Sequence, residues 1–379
     1  MSNESKVVRG VDLHFIPEQP PKDSKKKIVH TMLRLLCDDW NGGWLDFLDI
    51  PALSAILIKE DPKFIALLNQ GLKDGFMYLL NQLQGLKMTP DLLLRAQIYI
   101  QNCLCFLPYT NPELNETIVL PEWIDNKWQP VTYTIEPMLL TSPPKCGSFF
   151  TQPSDQFYAF GLKPVDKDLP VRAKLVFQAS AYPAGKGFWI AVKSDMKAFQ
   201  TPGNDLLKSG QRVIDNWVNQ LDRPVDFVGI SLGAIMAITA AIANGKVTKV
   251  HAYNPPGYYG QDLAKLSDKQ IPEVHVIRNA GEPASELGSF DPRFKVHLLT
   301  PKKEYQSKLF LIRHALSFAN KGSTKFTELD VESLNRDNHH RNIVYGPIRA
   351  LGDLLLIKPL DLGRAIAHIP SNIICRLKS

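Results

Sequence analysis

The pentapeptide GISLG, residues 229–233, places a serine between two glycines at the junction of two different segments. Residues 225–231 form a short apolar run typical of a buried strand, and residues 232–245 form a helix rich in alanine. In a sharp strand-to-helix turn, only residues without bulk fit at the glycine positions, and the serine hydroxyl is lifted clear of the sheet. The helix N-terminus directs N–H groups at the place where an oxyanion would form. The pattern therefore predicts that Ser231 is a nucleophile.

The region around this serine resembles the α/β-hydrolases, and within them most closely the lipase class 3-like serine hydrolases. The similarity extends over residues 172–346 and rests on VGISLGA, HAYNPPGYYG and VIRNAGEPASELG. Ile230 stands where that family often has His, Ala234 where it often has a second Gly, and FQAS at residues 177–180 where it has a Phe-Arg-Gly-Thr-like oxyanion stretch. These departures bear on the substrate more than on the fold. The resemblance implies an ester hydrolase, acting on lipid or acyl esters through an acyl-enzyme.

A serine nucleophile needs a base, and the base needs a carboxylate that orients it. In α/β-hydrolases the chain order is serine, acid, histidine. Glu282 follows the strand predicted at residues 273–279 and lies in VIRNAGEPASELG. The resemblance therefore implies that Glu282 is the acid, with Glu in place of the more common Asp. Three other carboxylates of nearby segments remain candidates: Asp262, Glu286 and Asp291.

Two places in the chain suit the base. His314 comes one short segment after the strand predicted at residues 294–300, where the last member of the triad belongs, and we expect it to be the base. His340 and its neighbour His339 are the alternatives, since the stretch before Tyr345 resembles the Asp-His-x-x-Tyr-like ending of class 3 lipases. Three histidines fall within predicted strands and are expected to be structural: His251, His275 and His297.

The oxyanion hole requires two donors. The first is the backbone N–H of Leu232, immediately after the nucleophile. The second should come from the loop after the strand predicted at residues 171–180. The candidates there are the backbone or hydroxyl of Ser180 and the N–H of Ala181.

Alternating strand and helix signals in the second half of the chain predict an α/β fold of the hydrolase type, with a mostly parallel sheet and helices on both faces. Pro62 and Pro90 follow N-cap candidates and predict helix starts in a preceding helical unit. We expect a flexible polar arm at residues 1–27, the helical unit at 28–107, a connection of strands and loops at 108–168, and the catalytic domain at 169–379.

The composition is that of a folded protein: 44% of the 379 residues are apolar and 22% are charged, which excludes a collagen-like, coiled-coil or mostly disordered chain. The net charge of +6 is not concentrated in a dense basic stripe, so no nucleic-acid partner is predicted. The five cysteines show no CxxC spacing, and no HxxEH pattern occurs. No metal or cofactor is expected.

The sequence also bears on the cellular location of the protein and on its partners. The N-terminus lacks the apolar core of a secretion signal, and no apolar run reaches the ~18–20 residues that span a bilayer. We expect a cytoplasmic protein, or one delivered into a host cell as a secreted effector. The helical unit at 28–107 could serve as a lid or contact a membrane surface peripherally, or it could be a packing domain only.

Two functions of different classes are consistent with these residues. The first is a serine hydrolase of ester or lipid substrates, with a triad of Ser231, an acid and a histidine. The alternative is a catalytically inactive protein that keeps the fold as a binding module, since a fold does not determine a function. The loss of ester hydrolysis in Ser231→Ala distinguishes them.

Overall fold

A computed structural model describes most of the chain, and every structural statement below refers to the residues it describes. These are residues 13–17, 19–34, 37, 62–141, 156–180, 188–196, 200–267, 269–282, 284–300, 325–339, 351, 354, 355, 358 and 359.

Nine described strands form one mixed sheet whose spatial order follows the chain order. They are β1 (Thr117–Ile124), β2 (Lys127–Leu139), β3 (Tyr158–Pro164), β4 (Ala173–Phe177), β5 (Val225–Ile230), β6 (Val247–Tyr253), β7 (Glu273–Asn279), β8 (Lys295–Thr300) and β9 (Lys325–Glu328). Strands β4 to β8 run parallel to one another. Strands β1 to β3 extend the sheet beyond β4, and β9 extends it beyond β8, in each case by antiparallel pairing.

The stretch predicted as a connection at 108–168 contributes three antiparallel strands to this sheet. Asp125 and Asn126, at the turn between β1 and β2, have φ angles of 49° and 60°. Two consecutive positive φ values suit a tight hairpin whose twist matches that of its strands. Because β3 pairs with β4, the antiparallel half of the sheet is continuous with the parallel half.

The helices confirm the predicted starts at the two prolines. They are α1 (Ser24–Leu33), α2 (Pro62–Gln84), α3 (Pro90–Leu104), α4 (Phe188–Met196), α5 (Asn204–Asn219), α6 (Leu232–Ala243), α7 (Gly260–Ala264) and α8 (residues 331–339). The hydroxyl of Thr89 accepts a hydrogen bond from the backbone N–H of Leu92 at 3.2 Å, which caps α3.

The sheet separates two hydrophobic cores, because alternate residues of each strand point to opposite faces. On β5, Val228 and Ile230 lie in the core beneath α1 to α3, whereas Val225 and Phe227 lie in the core with α5 and α6. Connections between adjacent parallel strands are nearly always right-handed, which places α5 and α6 on one face. The N-terminal helices cover the opposite face. The α/β architecture with helices on both faces is confirmed.

Two tyrosine hydroxyls link the N-terminal helical unit, and the short 3₁₀ turn Leu107–Thr110 that follows it, to the edge of the sheet that carries Ser231. Tyr253 Oη, at the end of β6, donates to the carbonyl oxygen of Ile98 in α3 at 2.6 Å. Tyr109 Oη donates to the carbonyl oxygen of Ser180 after β4 at 3.3 Å. The described part of this unit is therefore a packed layer of the fold.

The residues that precede α1 differ from the flexible polar arm predicted at residues 1–27. Leu13, Phe15 and Ile16 are buried. The Phe15 ring meets the Phe76 ring edge-on at a centroid distance of 5.0 Å, and it lies directly against Gly75 of α2. The prediction was wrong for these residues because a few apolar side chains within a polar stretch are buried in the core, with Phe15 packed against α2.

Candidate active site

Ser231 joins β5 to α6 in a backbone conformation that side-chain-bearing residues rarely adopt. Its φ and ψ angles are 55° and −126°. Its N–H donates to the carbonyl oxygen of Tyr253 on the neighbouring strand β6 at 2.8 Å, which fixes the turn at the carboxyl edge of the sheet. Such a conformation costs about 1–3 kcal/mol and persists only where the surrounding structure imposes it. The predicted strand-to-helix turn is confirmed, and Ser231 is only half-buried within it.

The two flanking glycines are required by close backbone approach. A Cβ atom at Gly229 would lie 2.4 Å from the carbonyl oxygen of Gly233 and 2.8 Å from the nitrogen of Ala234. A Cβ atom at Gly233 would lie 2.7 Å from the carbonyl oxygens of both Phe177 and Gln178. These neighbours are backbone atoms and cannot swing aside. The second glycine therefore lets the start of α6 lie against the end of β4.

The first turn of α6 supplies the donors that an oxyanion would need. The carbonyl oxygen of Ser231 accepts from the N–H groups of Ala234 and Ile235 at 3.0 and 3.3 Å. The N–H groups that precede them, including that of Leu232, have no partner within the helix because no carbonyl lies one turn earlier. Leu232 is fully buried, so its N–H is held in a site of low dielectric. The Leu232 N–H thus lies at the helix start where the sequence predicted it, and its role as an oxyanion donor stays a prediction.

The hydroxyl of Ser180 is already committed to another side chain. Ser180 Oγ donates to Asp195 Oδ2 on α4 at 2.7 Å. A hydroxyl has one proton to donate, so this group cannot donate to an oxyanion while it binds Asp195. Of the two Ser180 candidates, the backbone N–H is the one that the geometry leaves in place. The sequence held no signal for Asp195, and Ala181 lies outside the described residues.

Glu282 follows β7, as predicted, and its side chain is completely buried. Its Oε1 accepts from the N–H of Ala284 at 2.6 Å, and its Oε2 accepts from the N–H and the hydroxyl of Ser285 at 2.9 and 2.5 Å. A buried carboxylate requires such donors. A carboxylate has about four acceptor sites, and these three donors occupy most of them.

Two of the alternative acids are engaged elsewhere. Burial opposes ionisation of Asp262, but hydrogen bonds from Lys265 and Thr201 hold the pKa of its carboxyl below the ordinary value. Burial likewise opposes ionisation of Asp291, but hydrogen bonds from Arg293 lower its pKa. The Asp262 carboxylate thus ties α7 to Thr201 and Asn204, and the Asp291 carboxylate is bound by Arg293 of its own segment.

The third alternative, Glu286, lies in the same loop as Glu282, at the end of a short 3₁₀ turn, Ala284–Glu286. It is half-buried, whereas Glu282 is completely buried. Of the four candidates, Glu282 is the one that the loop itself surrounds with donors.

The candidate bases fall at the limit of the described chain. His314 and His340 lie outside the described residues, and His339 is exposed at the end of α8. Asn338, one residue earlier, is buried, and its Nδ2 donates to the carbonyl oxygens of Ser285 and Gly288 at 3.3 and 3.2 Å. The chain therefore passes the Glu282 loop immediately before His339 and His340.

The histidines expected to be structural do lie in strands and form a row across them. The rings of His251 and His275 stack at 5.8 Å, and those of His275 and His297 at 5.4 Å. His275 Nδ1 lies 3.2 Å from His297 Nε2, and His275 Nε2 lies 3.0 Å from Glu273 Oε1. Burial lowers the pKa of all three imidazoles, that of His297 to about 4. Only the tertiary structure brings these residues together.

Two further features, metal-binding groups and membrane-spanning helices, are absent from the described residues. Among them, no group of three or more His, Cys, Asp or Glu side chains is arranged to hold a metal ion. None of the described helices combines the length and apolarity that crossing a membrane requires. A scan of protein-family models gives no match to this chain, and a search of curated proteins gives none either.

Proposed function

We propose that the protein is a serine ester hydrolase of the α/β-hydrolase type, similar to lipases, and that it acts on lipid or acyl esters. The observation that carries the proposal is the conformation of Ser231. A half-buried serine with φ of 55° stands on a turn that two glycines permit, at the N-terminus of a helix and at the carboxyl edge of a parallel sheet. Ligands of open α/β sheets bind at this edge.

The residues then have the following roles. Ser231 Oγ attacks the ester carbonyl carbon while a histidine takes its proton, and the oxyanion is bound by the N–H groups of Leu232 and of the Ser180 loop. The imidazolium returns the proton to the departing alcohol. Water next attacks the acyl-enzyme and gives a proton to the same histidine, which passes it to Ser231 Oγ as the carboxylic acid departs. Glu282 orients the histidine throughout.

The position of Asn338 supports His340 as the base. Asn338 is bound to the loop that carries Glu282. His340 follows Asn338 by two residues, and two residues reach at most about 7 Å. This short chain distance is the argument for His340. Both histidines lie outside the described residues, and His314 stays the alternative base.

One observation favours a second candidate function, a binding module without catalysis. The carboxylate of Asp195 holds the Ser180 hydroxyl where the family resemblance would place an oxyanion donor. A negative charge near that position opposes the development of an oxyanion. If catalysis is absent, the same edge of the sheet would bind an ester or lipid without cleaving it.

Labelling with a fluorophosphonate probe tests the proposal. We expect the wild-type protein to be labelled at Ser231 and to hydrolyse p-nitrophenyl esters. We expect Ser231→Ala to lose the label and at least about 10³-fold in kcat. The matched control is Ser209→Ala, which changes an exposed serine of α5 and should retain both.

The histidine variants complete the test. His340→Ala should abolish labelling while His314→Ala and His339→Ala retain it; the reverse result would assign the base to His314. A folded wild-type protein that neither takes the label nor hydrolyses the esters would favour the binding module.

A further inference from the structure

A chain of three buried polar side chains leads from β7 to the carboxylate of Glu282. Arg278 Nε donates to Ser285 Oγ at 2.8 Å, and Ser285 Oγ donates to Glu282 Oε2 at 2.5 Å. Ser285 and Glu282 are fully buried, and Arg278 is 6% exposed. The sequence did not predict that Arg278 would contact Ser285 or that Ser285 would contact Glu282, because the order of residues does not reveal such contacts.

The direction of these bonds fixes the hydroxyl of Ser285. An arginine N–H can only donate, so it occupies a lone pair of Ser285 Oγ. The single hydroxyl proton is then directed to Glu282. The backbone N–H of Ser285 donates to the same Oε2 at 2.9 Å. Ser285 therefore donates two hydrogen bonds to one carboxylate oxygen, one from its N–H and one from its hydroxyl. Arg278 sets the orientation of the hydroxyl.

The loop around this chain is held at several further points. The N–H of Glu282 donates to the carbonyl oxygen of Asn279 at 3.2 Å, and the N–H of Asn279 donates to Asn254 Oδ1 at 2.8 Å. Asn254, which follows β6, is itself buried and has a positive φ of 46°. Asn338 binds the other side of the loop. The acid is thus fixed relative to the strand ends next to Ser231.

We propose that Ser285, oriented by Arg278, is a positioning residue that aims the Glu282 carboxylate at the catalytic histidine. This inference rests on the proposed function. Among the described residues, the Ser285 hydroxyl contacts Arg278 and Glu282, so its proposed effect on catalysis is exerted through Glu282. A carboxylate that keeps its charge but loses its orientation stabilises the imidazolium less well. The base then becomes harder to protonate and less effective as a proton acceptor.

The test compares Ser285→Ala with the wild-type protein in ester hydrolysis and in the rate of fluorophosphonate labelling. We expect kcat to fall about 10–100-fold, by analogy with the loss found when a hydrogen-bond partner of a metal-ligating residue is removed. KM should be almost unchanged. The acidic limb of the pH–rate profile should move to lower pH. Ser285→Ala leaves unchanged the charged side chains of this loop and of the end of β7 that the structure describes, Arg278, Glu282 and Glu286.

Two variants guard against a merely structural effect. Ser289→Ala makes the same chemical change in the same loop, where no described hydrogen bond involves the hydroxyl, and should resemble wild type. Ser285→Thr keeps the hydroxyl and should recover most of the rate and the original pH profile. If Ser285→Ala does not fold, Arg278→Lys removes the Nε donor while it keeps the charge, and it should reduce kcat in the same way.

The outcomes separate this inference from the function on which it rests. A wild-type protein that is not labelled at Ser231 overturns both. A labelled wild type with Ser285→Ala equal to it in kcat and in pH profile overturns the positioning role alone. A lower rate with an unchanged pH profile, without rescue by Ser285→Thr, would assign Ser285 to the stability of the loop and overturn the proposal.

Discussion

Gly229 and Gly233 are needed for different neighbours, although both flank Ser231. A side chain at Gly229 would strike the turn itself, at the carbonyl oxygen of Gly233. A side chain at Gly233 would strike the end of β4, at the carbonyl oxygens of Phe177 and Gln178. The first glycine makes the turn sharp, and the second allows the helix to approach the strand before the Ser180 loop.

Gly229→Ala should therefore destabilise the protein by more than about 3 kcal/mol, because a methyl group 2.4 Å from a carbonyl oxygen forces the backbone of the turn to move. Gly245→Ala is the matched control: no heavy atom would lie within 4 Å of its added Cβ. It should change the free energy of unfolding by less than about 0.5 kcal/mol. Urea denaturation of both variants measures the difference, and equal stabilities would contradict the close approach at Gly229.

At the scale of elements, α3 and the end of β6 are joined next to the candidate site. The hydroxyl of Tyr253 donates to the carbonyl oxygen of Ile98, and the side chain of the next residue, Asn254, accepts from the N–H of Asn279 just before the Glu282 loop. A helix predicted only as part of a separate unit is thus bonded to the strand that pairs with the turn at Ser231. The N–H of Ser231 donates to the carbonyl oxygen of the same Tyr253.

Tyr253→Phe should lower the free energy of unfolding by about 1–3 kcal/mol, since a buried carbonyl oxygen of α3 loses its donor. Tyr158→Phe is the control: Tyr158 is half-buried and its hydroxyl donates to Gln156 Oε1, just before β3, so its loss should cost about 0.5 kcal/mol or less. Hydrogen exchange should show the amides of α3 opening more often in Tyr253→Phe. Unchanged exchange in α3 would mean that this bond does not hold the layer.

At the scale of the whole molecule, burial of the histidine row links folding to pH. Burial lowers the pKa of His297 from 6.5 to about 4, and the neighbouring His275 adds to the effect. Above pH 6.5 the imidazole is neutral in both states. Between pH 6.5 and about 4 the unfolded chain binds a proton that the folded chain does not. The folded state therefore becomes less stable as the pH falls through this window.

The stability lost at His297 should be on the order of 3 kcal/mol between pH 6.5 and 4, because each bound proton contributes about 1.4 kcal/mol per pH unit. In His297→Gln this contribution is absent, so its free energy of unfolding should fall less steeply over the same range. Above pH 7 the two proteins should have parallel pH dependences. Urea unfolding at half-unit steps of pH measures both slopes, and identical slopes below pH 6.5 would contradict the burial of a neutral His297.

The sequence alone predicted the features that depend on local spacing. The turn at Ser231, the helix starts at Pro62 and Pro90 and the strands from β4 to β8 follow from residue types a few positions apart. The placement of Glu282 after β7 followed from chain order in a parallel sheet. Each of these depends on the conformation of a short segment, which its own residues largely determine.

Only the tertiary structure decided which distant residues meet. The packing of α1 to α3 over the sheet, the bond from Ser180 to Asp195, the row of three histidines and the path from Arg278 to Glu282 join residues whose contact no local pattern encodes. Such contacts arise from how strands align and how side chains fill the remaining space, so one sequence without its fold cannot specify them. The prediction for Ser231 therefore came from the sequence, whereas the contacts that fix the Glu282 side chain came from the fold.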